Sequence, residues 1–174
     1  GGFFVNTGTW ILDRPLARTR RGRVLALGSL LFAGLTTLGA VASFPLPFSP
    51  VPVTLQTLAV VMAGAMLGPI WGPVSQMLYI SAGMMGMPIF AGGLAGPGVL
   101  VGPTGGYLVG FVVAAWLAGL LVRPGVSWPR LALGLVASHL AVFVCGVSQL
   151  MLFTGQSFPL ALELGVFPFL PGLA

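Results

Sequence analysis

Residues 90–111 read FAGGLAGPGVLVGPTGGYLVGF, with Gly92-Gly93, Gly96, Gly98 and Gly102 set between long apolar runs. Residues 53–67 and 74–87 precede it and residues 106–122 follow, none of them carrying a charge. Glycine at this density interrupts regular structure, and the chain re-enters an apolar run directly at Gly105-Gly106-Tyr107. In water the flanking runs would have no solvent-facing side. In a bilayer the same arrangement reads as helices joined by a loop at one membrane face, able to cradle a small ligand.

Composition agrees. Charged residues make up 5% of the 174-residue chain, against roughly 25% in soluble domains, and mean hydropathy is +1.07. Such a chain cannot clothe itself in polar surface, so its exterior faces lipid. The expected class is all-α, a polytopic integral membrane protein. A basic tail (residues 1–23) precedes one transmembrane substrate-binding domain (residues 24–174).

Spans are predicted at 24–44, 53–67, 74–87, 106–122 and 131–153, each interrupted from the next by proline or glycine. Residues 158–169 are apolar but too short to cross, so a sixth span is expected to be truncated or absent. All seven cations are arginines. Five (Arg14, Arg18, Arg20, Arg21, Arg23) precede the first span, and Arg123 and Arg130 flank the loop after the fourth. Five spans put all seven on one side, which the positive-inside rule makes the cytoplasmic side. The N-terminus is then cytoplasmic in a cell-membrane protein, and the glycine loop faces outward. No aromatic residues interleave with the arginines to stack bases, so nucleic acid is excluded as a partner, and anionic membrane lipid is favoured.

Catalytic equipment is sparse. There is no HExxH and no GxxxxGK[ST] phosphate loop. Gly93-Leu-Ala-Gly-Pro-Gly98 departs from GxGxxG, and Pro97 removes a backbone donor. Asp13 and Glu163 lie outside the spans, His139 is alone, and Cys145 is the single cysteine. No enzyme activity, metal or cofactor is expected. Coupled carriers bury acidic residues in their spans; spans one to five have none, so any transport draws its energy from elsewhere.

What remains are neutral polar groups. Gln56 can both donate and accept; with Tyr79, Tyr107 and Gln149 it shares the half of the bundle that carries the glycine loop. Phe90 offers an aromatic wall. Ser75, Gln76 and His139 are expected to bond neighbouring helices. Small residues recur every fourth position at Ser29-Ala33-Thr37, Gly64-Gly68-Gly72 and Gly106-Gly110-Ala114-Ala118, the spacing that lets helices approach closely. The last two stripes read as internal packing, and the first is open to a second subunit.

Four motifs in order, PVTLQTL (52–58), AGAMLGP (63–69), GMPIFAGG (86–93) and GPTGGYLVGF (102–111), resemble the BioY family, the biotin-specific S components of energy-coupling factor transporters. The likeness runs from about residue 31 to 171. It implies six helices and an outward biotin pocket drawing on Gln56, Tyr79, Phe90, Gly92, Gly93, Thr104, Tyr107 and Gln149, with the glycine loop as lid. It further implies a transmembrane T component, docked through Ala33 and Thr37, and ATPase subunits that drive uptake. The family follows Pro-Gly with an aspartate and then a lysine; here Gly172 is followed by Leu173-Ala174. An S component for another vitamin and a non-binding, channel-like membrane protein are the alternatives.

Overall fold

The computed structural model describes residues 15–47, 49–122 and 125–166, with side chains from residue 20 onward. Arg14, Arg18, Arg123 and the Pro-Gly ending at 171–172 lie outside the described side chains. Helix α1 (Pro15–Val41) is followed by a two-stranded antiparallel hairpin, β1 (Ser43–Leu46) and β2 (Ser49–Thr54). Then come α2 (Gln56–Met84), a 3-10 turn (Ala91–Gly93), α3 (Gly98–Val101), α4 (Gly105–Leu121), α5 (Trp128–Thr154) and the short α6 (Phe158–Gly165).

Helix α2 is two helices. Gln56 Nε2 bonds Tyr79 Oη at 2.6 Å, although an unbroken helix would hold residues that far apart in sequence about 34 Å apart. The reversal falls at Gly68, whose φ of 84° and ψ of −176° are non-helical and suit a residue without Cβ. Pro69 then starts the second arm, where its missing N–H costs nothing. The spans expected at 53–67 and 74–87 are therefore the antiparallel arms 56–67 and 69–84. With α1, α4 and α5 they make five traverses.

The hairpin corrects the expected boundaries. The first span stops at Val41 and not at residue 44, and the second begins at Gln56 and not at residue 53. At 1.5 Å per residue, residues 56–67 rise only about 18 Å, short of a hydrocarbon core of about 30 Å. Strand β2 extends the path. Non-helical backbone at that depth is tolerated where protein covers it or it lines a cavity; Val51 in β2 is 3% exposed and belongs to the core.

Close approach holds the bundle. A Cβ on Gly64 would meet the Ala115 carbonyl of α4, and one on Gly110 would meet the Val142 backbone of α5. Gly64 and Gly72 of the second stripe and the whole of the third thus pack inside the chain, while Gly68 serves the reversal instead. Between α1 and α2 the contact is polar: Ser29 Oγ lies 3.0 Å from the Trp71 carbonyl and Thr36 Oγ1 lies 3.2 Å from Gln76 Oε1. Gln76 Nε2 in turn donates to Ser75 Oγ at 3.0 Å. Outward-pointing Leu27, Leu31, Met66, Ile70, Val109, Leu133 and Val144 are exposed, as a lipid-facing belt requires.

Replacing Gly64 by Val overpacks this seam and should destabilise the protein by about 1–3 kcal/mol, read as a lowered thermal unfolding midpoint in detergent. Gly34→Val is the control, because a Cβ there meets nothing within 4 Å. An equal loss in both would show that the seam is not the source.

Candidate functional site

At the end of the bundle that carries the glycine loop, a cavity of about 50 Å³ is lined by parts of six elements. Strand β2 contributes Val51, Pro52 and Thr54, and the first arm of α2 adds Gln56 and Thr57. Phe90 and Ala91 close one side, α3 adds Val99, and Thr104, Tyr107, Leu108 and Phe111 form the wall at α4. Val142 and Phe143 of α5 complete it. Outside lies a larger cleft of about 500 Å³ between the β-hairpin and the glycine loop, sharing Pro52, Ala91, Val99 and Thr104 with the cavity.

The orientation of Gln56 follows from its partner. Tyr79 Oη donates to the Ile89 carbonyl at 3.2 Å, so it must accept from Gln56 Nε2. That fixes the amide and leaves the Gln56 carbonyl oxygen as the acceptor available to the cavity. Tyr79 is 1% exposed and does not line the cavity; it stands behind Gln56. Its ring also meets Phe90 edge-on, centroids 5.5 Å apart and planes at 88°. Phe90 can lie there because Gly83 has no side chain; a Cβ would collide with the ring.

Gln56, Phe90, Thr104 and Tyr107 are therefore brought together around one space. Gly92 lines the outer cleft. Gly93 lines neither space; with φ of 72° it helps the turn bring Leu94 back to bond Phe90, whose N–H donates to the Leu94 carbonyl at 3.1 Å. Gln149 lies apart. Its Nε2 donates to the carbonyls of Leu100 and Gly102 at 2.5 and 2.8 Å, in a groove on the outer side of α4 and α5. It anchors the loop. Ala33 and Thr37 are half-buried on α1, while Ser29 of the same stripe is fully buried against α2.

His139 does not reach a neighbouring helix as expected: it is exposed, and its Nδ1 sits 2.8 Å from the Leu135 carbonyl of its own helix. Ser75 bonds the Gly72 carbonyl within its arm, and Gln76 does reach α1.

Sequence reasoning missed Ser49, Val51 and Pro52, because the prolines in FPLPFSPVP read as a break between spans. The available signal was the alternation in Ser49-Pro-Val-Pro-Val-Thr54, with Val51 and Val53 in a period of two. Apolar walls with a few fixed polar groups suit a small molecule with a compact apolar body and hydrogen-bonding donors. No charged side chain lines either space among the described residues, and no cluster of metal-ligating side chains occurs among them.

The fold is shared with a solved structure, the S-component for biotin from an ECF-type ABC transporter, at a TM-score of 0.77 and 23% identity, covering 88% of this chain and 84% of that one. A probable biotin transporter BioY of Pyrococcus horikoshii is 40% identical over 140 residues, 80% of this chain and 81% of that protein. The biotin transporter BioY of Thermotoga maritima is 37% identical over 139 residues, 80% of each. The model of the BioY family matches residues 16–174. With that match and these relatives, the chain is a member of the BioY family, a family of membrane transport proteins.

Proposed function

We propose that this protein captures biotin in the cavity around Gln56, as the substrate-binding subunit of an energy-coupling factor transporter. The observation that carries this reading is the Gln56 amide, held by Tyr79 at the edge of a mainly apolar cavity whose other polar side chains are hydroxyls. The ureido N–H groups of biotin are donors of the kind the amide oxygen requires, and its sulfur ring suits Phe90, Val99 and Leu108. The acyl tail then points to the outer cleft. Threonines 54, 57 and 104 supply further hydroxyls.

Energy comes from a T component and ATPase subunits, since the chain has neither a phosphate loop nor acidic residues in its traverses. An outward cavity and a cytoplasmic N-terminus accord with the arginines. Arg20, Arg21 and Arg23 begin α1 and Arg130 begins α5, and the first and fifth of five alternating traverses start at the same end. The flank of α1 around Ala33 and Thr37, bordered by exposed Leu30, Gly34 and Leu38, is the surface offered to the T component.

Equilibrium binding of tritiated biotin to the purified protein in detergent tests the reading directly. Saturable binding at one site per chain, not displaced by unlabelled riboflavin or thiamine, is expected; no saturable binding would refute it. Gln56→Ala should weaken binding by about 1–3 kcal/mol, the cost of a lost hydrogen bond in a buried site. Tyr79→Phe should weaken it less, and should have no added effect in the Gln56→Ala background, since both changes act through one oxygen. Ala33→Leu should leave binding intact and abolish uptake in cells that also produce the partner subunits; normal uptake would remove this face from the docking surface.

A further inference from the structure

The cavity of about 50 Å³ is far smaller than the roughly 300–1,000 Å³ of small-molecule sites. A ligand of that size either extends into the adjoining cleft of about 500 Å³ or displaces a wall. The walls made by α2, α4 and α5 are fixed by backbone contacts at Gly64, Gly106 and Gly110. The remaining boundary elements are lighter: the β-hairpin, whose strands pair with each other, and the loop that carries Phe90, Ala91 and Val99.

The hairpin is tied to α6, a helix of 8 residues that lines neither space. Ser49 of β2 donates from Oγ to the Leu164 carbonyl at 2.5 Å and accepts from the Val51 N–H at 3.1 Å. Tyr107, whose ring lines the cavity, donates from its hydroxyl to the adjacent Gly165 carbonyl at 2.9 Å. Leu164 and Gly165 end α6, where helical carbonyls have no partner within the helix. Both donors are buried, Ser49 at 9% and Tyr107 at 6% exposure. The orphan carbonyls of α6 are thus held by two side chains from the surround of the cavity, on elements remote in sequence.

We propose that Ser49 is a positioning residue for ligand capture: it latches the β-hairpin to α6, which Tyr107 ties in turn to the fixed helix α4, and so braces the hairpin wall of the cavity. Ser49 touches the outer cleft and not the inner cavity, so it acts on ligand passage and retention through the wall it holds. The inference rests on the reading that this cavity binds biotin.

A latch and a ligand contact differ in kinetics. Losing a direct contact raises the dissociation rate, whereas losing a latch raises association and dissociation together. With tritiated biotin, Ser49→Ala should raise both rate constants about fivefold, the loss of one hydrogen bond, and shift Kd less than twofold. Ser49→Thr, which keeps the hydroxyl, should restore both. A rise in dissociation alone, or no change in either rate, in a protein with normal thermal unfolding overturns the latch. Should Ser49→Ala fail to fold, Ser49→Cys, which keeps the size of the side chain but donates only weakly, must give the same paired rise. If the wild-type chain binds no biotin, it is the ligand assignment that fails. The latch is then read from hydrogen exchange of the amides at 158–166, which Ser49→Ala must accelerate; unchanged exchange overturns it.

Discussion

Helices surrounded by lipid gain nothing from hiding apolar side chains, which lipid solvates equally well, so they associate by bringing their backbones close. In this protein that constraint converges on α4. One side of α4 meets α5 through Gly106 and Gly110; another meets α2 through Ala115, Ala118 and Gly119, the last lying against the Gly68–Pro69 turn. Because α4 is wedged between both neighbours, Tyr107, Leu108 and Phe111 at its loop end form a fixed back wall. The cavity exists because a rigid helix ends where the glycine-rich loop begins.

The traverses were legible in the sequence where an uncharged run has clear ends. The run predicted at 106–122 differs from α4 by one residue at each end, and that at 131–153 lies inside α5. The count of five was legible too, since Gly68-Pro69 marks a reversal that composition alone would hide in one long apolar stretch. The β-hairpin was not. Its prolines sit where they obstruct a helix, and that negative signal obscured the period of two that places Val51 in the core.

Side-chain roles were legible only in part, and three glutamines show why. Gln56, Gln76 and Gln149 each interrupt an apolar run, so each announces a polar need in an apolar setting. Gln56 meets that need with Tyr79 at the cavity, Gln76 with Thr36 between two helices, and Gln149 with two loop carbonyls on the far side of α4. The chemistry is the same, and only the rotation of each helix decides which space the amide enters. Ser49 is harder still, since its partner Leu164 lies more than a hundred residues away. No local pattern encodes that pairing.

The walls of both spaces, among the described residues, are electrically neutral. Such walls select by shape and hydrogen bonding, and they add no countercharge of their own to an anionic group. One uncompensated charge moved against a membrane potential costs about 2.3 kcal/mol per 100 mV. Any cation that offsets such a load must therefore come from outside these described walls.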